Sequence, residues 1–359
     1  MSSLIVKVYK VKEVVKHPNA DRLSIVTMVD NGWECITGLD TYKIGDLVVY
    51  VPPDCIIPGK MIDELGLDYL KKNGRTSTIK LRGYISQGLI INAPFGYKEG
   101  DDVALVLGIT KYEQPEPKLS TRGNSVSKKR LNPLFDKYTE IENIKNFSNI
   151  FEDGELVNIT EKCHGSSFRV ANLRIQINSK QPLFYILKNL FNKYILRKEY
   201  EYVIGSHNVQ LVNDKTYYNK NIYKAMSDKY NLIDKIPKDM ILYGEVFGPG
   251  VQKLTYGLKE IELAVFDIKL NGVYMNWDFV VNFCKEMGLQ TVPEIYRGPY
   301  NDDLCKKFTT GQSIICPTQI REGIVIKPLI ERNHPRLGRV ILKSINTDYL
   351  TREGATEFK

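Results

Sequence analysis

Residues 161–168 read EKCHGSSF: Lys162 stands between Glu161 and Cys163, and His164 and Gly165 follow directly. By itself the stretch allows two readings. Lys162 is either an ordinary surface cation or an amine held ready for chemistry, and the rest of the chain has to decide between them.

Upstream of this point the chain is built from short apolar runs. LIVKVYKVKEVV, LSIVTMV, WECITGL, LVVYVPP, TIKLRG and GLIINAP are rich in β-branched residues and bounded by glycine, proline and asparagine, the pattern of short strands joined by tight turns. A small β-barrel over 1–112 is the expectation. Within it HPNADRL, His17 to Leu23, reads on local chemistry as a turn between two strands. From Tyr112 the composition changes to YEQPEPKLSTRGNSVSKKRLNP. Three prolines, several serines and the basic cluster Lys128, Lys129 and Arg130 bury too little apolar area to fold alone, so 113–133 reads as a linker with a solvated charge run.

A second domain is expected over 134–359, with strands and helices intermixed in an α+β pattern. ILYGEVFG, IELAVFDIKLNGVYM, EGIVIKP and RVILKSI are strand-like, while NWDFVVNFCKEMGL reads as a helix with Asn276 available as its cap and Gly288 near its end. QPLFYILKNLFNKYILRKEYEY, 181–202, is apolar and basic in helical rhythm. We read it as a helix packed on the domain, with a membrane-surface helix as the alternative.

The bulk numbers agree with two soluble domains. The 359 residues exceed what a single core usually supports, and 43% hydrophobic with 26% charged residues is ordinary for a globular protein. No run approaches the ~20 apolar residues that span a bilayer, and the charged start MSSLIVKVYKVKEVVKH does not resemble a secretory signal; the expected location is cytoplasmic, with no membrane partner. Six cysteines without metal-ligand spacing are expected as free thiols. A net charge of +8 favours a polyanionic partner.

Downstream of Lys162 stand, in order, GEVFGPGVQKLTYG with Glu245, AVFDIK with Phe266, EGIVIKP with Glu322 and Lys327, and VILKSI with Lys343. The set holds an amine, an aromatic face, carboxylates and further cations. An amine attacks phosphorus only when unprotonated, so its usual pKa of about 10.4 has to fall. Nearby cations and burial act in that direction, and an oxygen ligand such as Glu322 suits Mg²⁺ or Mn²⁺.

This ordered set resembles motifs I, III, IIIa, IV and V of the covalent nucleotidyltransferases, and its KxHG form is similar to the ATP-dependent nick-sealing RNA ligases. LRGYISQGL, LGITKYE and KYTEIENIKNF extend the resemblance over nearly the whole chain, toward the Naegleria-type branch with an N-terminal oligonucleotide-binding (OB) fold. HPNADRL is also similar to a stretch of tRNA-binding domains of that fold. The resemblance implies an OB-fold barrel followed by an adenylyltransferase domain of antiparallel sheets and flanking helices. It implies that Lys162 becomes lysyl-AMP, that Glu245 binds the ribose and that Phe266 stacks on adenine. Glu322 would hold the metal through water, and Lys343, with Lys327 as a weaker candidate, would contact phosphate. Glu161, His164, Gly165, Asp267 and His207 would support the site. The implied cofactors are ATP with Mg²⁺ or Mn²⁺. The implied partner of a monomeric ligase is RNA with 3′-hydroxyl and 5′-phosphate ends in a nicked duplex.

Three positions depart from the pattern. Ser167 stands where some relatives have asparagine, His207 where a comparable stretch has arginine, and Ile341 where motif V has its first lysine. Arg339 is then the candidate for the missing phosphate cation. The alternatives are an RNA-binding protein that kept the fold without activity, and a DNA ligase or capping enzyme, which usually carries its OB domain after the catalytic one.

Overall fold

In the computed structural model, residues 4–29, 32–112, 131–147, 149–177, 181, 183–211 and 221–352 are described. The cluster Lys128–Arg130 and most of the expected linker lie outside them.

The N-terminal domain is built on a five-stranded antiparallel sheet in the order Glu34–Gly38, Leu23–Met28, Lys7–Lys16, Leu47–Val51, Leu89–Asn92. Leu23–Met28 alternates partly exposed and buried residues, as a strand with one face on a core must. The hairpin Thr78–Leu81/Tyr84–Gln87 approaches the free edge of Glu34–Gly38. Ser86 Oγ accepts from the Ile36 N–H at 2.9 Å and Cys35 Sγ donates to the Gln87 carbonyl, which nearly closes the barrel. His17 is buried and ties the HPNADRL turn to this hairpin: Nδ1 accepts from the Asn19 N–H at 3.0 Å and Nε2 lies 3.2 Å from the Leu81 carbonyl. The turn reading holds.

The second domain has two sheets. One runs Glu142–Asn143, Leu342–Ile345, Gly323–Pro328, Leu156–Glu161, Glu294–Pro299. The other runs Tyr200–Ser206, Ser166–Arg174, Met240–Phe247, Glu262–Leu270, Val273–Tyr274, with Gln290–Thr291 beside Glu262–Leu270. Pairing is antiparallel except at the two-residue strands Glu142–Asn143 and Gln290–Thr291. Phe135, Tyr138, Tyr243 and Ile341 form part of a core shared by the sheets. A larger core lies between the second sheet and the helices Ile222–Lys229 and Trp277–Met287. The latter helix ends as expected, on Gly288 at φ 64°, a left-handed conformation that glycine adopts without strain. Its start differs: Asn276 occupies the cap position but its side chain makes no cap bond, because Oδ1 instead accepts from the Glu331 N–H at 2.9 Å.

At the end of the expected linker, Leu131 and Asn132 are buried, and Asn132 Nδ2 donates to Glu201 at 2.8 Å and to the Arg174 carbonyl at 3.0 Å, so these two residues pack on the second domain. The two domains share a packed interface. Ile5 belongs to the core that holds Ile144, Phe147 and Phe151. Trp33 Nε1 donates to Asn146 at 3.2 Å, Lys145 Nζ donates to the Gly32 carbonyl at 3.0 Å, and Lys111 Nζ meets both Glu140 and Glu142 at 2.6 Å.

The stretch 181–202 is helical only in part. Leu183–Leu190 is α-helix, Phe191–Ile195 continues with one wider turn, and Tyr200–Ser206 is already a strand. All six cysteines are free. Among the described residues no helix is long and apolar enough to cross a membrane.

Candidate functional site

A cleft of about 810 Å³ opens between the two sheets and reaches the N-terminal domain. Lys162, Glu161, Ser167, His207, Glu245, Phe266, Glu322, Lys327, Ile341 and Lys343 line it together. His164, Gly165 and Asp267 sit behind its wall.

Each lining residue is placed by a specific local device. Lys162 follows the strand Leu156–Glu161, and its backbone N–H donates to the Gly323 carbonyl at 3.0 Å, which sets it beside Glu322. Gly165 has no room for a side chain: an added Cβ would lie 2.2 Å from the Val246 carbonyl oxygen, so only glycine lets the turn close against the strand that carries Glu245. In that strand, Met240–Phe247, every residue is buried except Glu245, which is partly open to the cleft. Phe266 owes its place to a β-bulge. Tyr243 pairs with Asp267 and Gly244 with Val265, leaving Phe266 as the extra, unpaired residue; bulges re-aim a side chain in this way.

The electrostatics differ from the sequence expectation at the central amine. Lys162 Nζ lies 2.5 Å from Glu322 Oε1. Burial alone would lower the amine's pKa, but Glu322 and Glu245 outweigh it and hold Lys162 above its ordinary value. The two carboxylates thus favour the protonated amine. Burial pushes the Glu322 carboxyl up, yet Lys162 and His164 together hold it below the ordinary range. Glu245 is pushed up to about 8 by burial, against Lys162 and reinforced by Glu322. Lys343 is lowered by burial and then by Lys162.

His164 backs the pair. Its Nδ1 is hydrogen-bonded to the Tyr349 hydroxyl at 2.7 Å and lies 3.5 Å from Glu322 Oε2, while its N–H donates to the Tyr256 hydroxyl at 2.6 Å. Glu161 is buried and accepts from the Ile314 N–H at 2.7 Å. Asp267 is fully buried and gathers Arg339 at 2.6 Å, Tyr138 at 2.7 Å and Lys327 at 3.4 Å.

Arg339, the candidate for a phosphate cation, is not among the residues lining the cleft and directs its donors to Asp267 and Glu331. His207 lines the cleft, and burial, followed by Arg169 and Lys137, depresses its pKa, so it does not supply the permanent charge of an arginine.

A divalent ion fits the donor set only in part. Glu322 Oε2 is buried with no hydrogen-bond partner, as an oxygen kept for a ligand would be. Among the described residues no group of three or more His, Cys, Asp or Glu forms a complete cage, which suits an ion held mainly by water and nucleotide phosphates.

Sequence reasoning missed a whole wall of the cleft. Trp33, Asp54, Arg75, Lys111 and Tyr112 of the first domain face Glu140, Glu142 and Lys145 of the second. KYTEIENIKNF marked the second group, and LGITKYE marked Lys111 and Tyr112 of the first, without giving them a role; Trp33, Asp54 and Arg75 carried no such mark.

Comparison with known proteins agrees with this architecture. The RNA ligase family matches residues 155–345, and an OB-fold domain matches residues 5–93. Among solved structures, a Naegleria gruberi RNA ligase mutant with ATP and Mn has 21% identity and a TM-score of 0.68, covering 97% of this chain and 98% of that one. The Naegleria gruberi RNA ligase with PPi has 22% identity and a TM-score of 0.68, covering 96% and 97%. Another mutant of that ligase, with AMP and Mn, has 23% identity and a TM-score of 0.68, covering 96% and 98%. At these identities the likeness is one of fold. No curated protein matches the sequence.

Proposed function

This chain belongs to the RNA ligase family, and we propose that it joins RNA 3′-hydroxyl and 5′-phosphate ends at nicks, using ATP, with Lys162 as the nucleophile. The observation that carries this reading is the convergence of Lys162, Glu245, Phe266, Glu322 and Lys343 on one cleft.

In the first step Lys162 Nζ attacks the α-phosphorus, the bond to the β-phosphate oxygen breaks, and pyrophosphate leaves. The amine has to lose its proton first. Glu322 holds that proton on Lys162 through the 2.5 Å contact, so engaging Glu322 elsewhere removes the larger of the two carboxylate influences, leaving Glu245 opposed by burial and the neighbouring Lys343 charge, which favour release of the proton to solvent. Mg²⁺ or Mn²⁺ would supply charge neutralisation at the phosphates, and Glu322, whose buried Oε2 has no hydrogen-bond partner, is the residue that would hold it. Phe266 offers a ring face to adenine. Glu245, largely protonated at neutral pH, can donate to a ribose oxygen as well as accept from a hydroxyl. In the second step the RNA 5′-phosphate oxygen attacks the same phosphorus and the P–N bond to Lys162 breaks. In the third the 3′-hydroxyl attacks the activated 5′-phosphate and AMP departs. Lys343 stays beside the transferred phosphate and offsets the charge that develops.

The division into an OB domain over 1–112 and an adenylation domain from Leu131 belongs to this proposal. Incubation with α-labelled ATP and Mn²⁺ tests it. The wild-type chain should carry one AMP on Lys162 by mass spectrometry. Lys162→Ala should carry none, and neither should Lys162→Arg, whose guanidinium stays protonated. AMP on another residue would overturn the assignment, and no covalent AMP at all would leave an inactive RNA-binding protein.

A further inference from the structure

The helix Leu183–Leu190 and the turn Phe191–Ile195 sit on the domain the wrong way round. The stripe turned inward carries Tyr185, Asn189 and the half-buried Asn192, spaced i, i+4 and i+7, whereas Leu183, Leu187, Leu190, Phe191, Tyr194 and Ile195 are exposed to between 37% and 71%. A surface helix normally shows the reverse, apolar in and polar out. The inward contacts are fixed by hydrogen bonding: the Tyr185 hydroxyl donates to Glu201 at 2.6 Å and accepts from Gln210 at 3.2 Å. The helix therefore cannot roll to hide its apolar side without breaking buried polar pairs.

We propose that this face is a docking surface for an anionic lipid bilayer, which goes beyond the ligase reading and does not depend on it. Charge selects the occupant. Lys188, Lys193, Arg197 and Lys198 lie in the segment and no acidic residue occurs between 183 and 198, so two copies meeting through this face would bring eight cations together. The outward set holds the aliphatic Leu183, Leu187, Leu190, Ile195 and Leu196 beside the aromatic Phe184, Phe191 and Tyr194. Nucleic-acid bases stack on aromatic rings, and RNA would leave Leu183, Leu187 and Ile195 against water. A mixed apolar and basic helix of roughly 20 Å, at 1.5 Å per residue, suits the boundary between headgroups and acyl chains. None of these residues lines the cleft, so docking would leave the reaction site open.

The test is flotation of the full chain with phosphatidylcholine vesicles, with and without phosphatidylserine, at low and moderate salt. The chain should float only with phosphatidylserine. Lys188→Ala with Lys193→Ala should weaken this about 30-fold, at about 1 kcal/mol for each basic residue near the surface. Leu187→Glu with Ile195→Glu should abolish it while AMP loading of Lys162 or, if the ligase reading fails, the thermal unfolding profile stays at the wild-type level. Flotation unchanged in both variants, or absent in the wild type, would overturn the proposal. A dimer in light scattering that the Leu187→Glu/Ile195→Glu variant dissolves would overturn it in favour of a second copy, and a loss of nicked-duplex affinity without vesicle binding would overturn it in favour of RNA.

Discussion

Replacing Asp267 with asparagine removes one negative charge from a fully buried position where it faces two cations and a phenol, Arg339 at 2.6 Å, Lys327 at 3.4 Å and Tyr138 at 2.7 Å. Removing one partner of a buried ion pair costs about 3–5 kcal/mol. Glu331 decides where in that range the cost falls. It accepts from Arg339 Nε at 2.7 Å and lies 3.8 Å from Lys327, so the guanidinium keeps a carboxylate and the lower end, about 3 kcal/mol, is expected. With a denaturant slope of about 3 kcal/mol per molar, the urea midpoint should fall by about 1 M. Far-UV circular dichroism measures this together with the emission of Trp277, whose ring lies 5.1 Å from Lys327 Nζ. Burial pushes the Asp267 carboxyl up, but Lys327 and Arg339 outweigh it and hold it below its ordinary 3.8. Its contribution is therefore present above pH 3.8 and lost as pH falls through the lower folded value; the variant should lack that acid-dependent loss. Lys327, already lowered by burial, should become neutral more readily, and the ATP concentration needed for AMP loading should rise. A midpoint that moves by less than about 0.3 M would refute the view that Asp267 carries the ion network.

Phe266→Ala should raise the ATP concentration for half-maximal AMP loading by an amount equivalent to about 1–3 kcal/mol, with Phe266→Leu retaining part of the contact; an unchanged ATP dependence would remove the ring from the nucleotide site. The Glu245 carboxyl keeps its proton up to about pH 8 in the folded chain and releases it near 4.5 when unfolded. The folded state thus binds more protons in that window and stability should fall as pH rises from 4.5 to 8; Glu245→Gln should flatten this slope in urea titrations. A fragment starting at Leu131 should load AMP poorly, because it lacks Ile5 in the core around Phe147 and the cleft wall that includes Arg75 and Lys111; loading at the full-length rate would show that wall to be dispensable.

Short-range patterns were legible in the residues. Period-2 burial in Leu23–Met28 and the glycine that ends the Trp277–Met287 helix follow from local geometry, whereas Gly165 is demanded by the distant Val246 carbonyl. The cleft members were legible as an ordered set because their motifs resemble a known family. Phe266 was legible as an aromatic but not as a bulge residue, since a bulge depends on how the neighbouring strand pairs. The reading of 181–202 missed which side would face outward, because an amphipathic pattern fixes the two faces of a helix and not the surface it rests on.

The sequence by itself determined the order of barrel and α+β domain, which rests on periodicity and turn residues, and it marked Lys162 as the candidate nucleophile through the ordered motifs that resemble a known family. Tertiary structure alone decided the charge relations. Glu322 sits 160 positions from Lys162 and holds its proton, Arg339 is drawn into the Asp267 network instead of the cleft, and the first domain supplies a wall to the second. The physical reason is that Coulomb energy and desolvation depend on distances of a few ångströms through a low-dielectric interior, and those distances exist only once the two sheets and the barrel have packed.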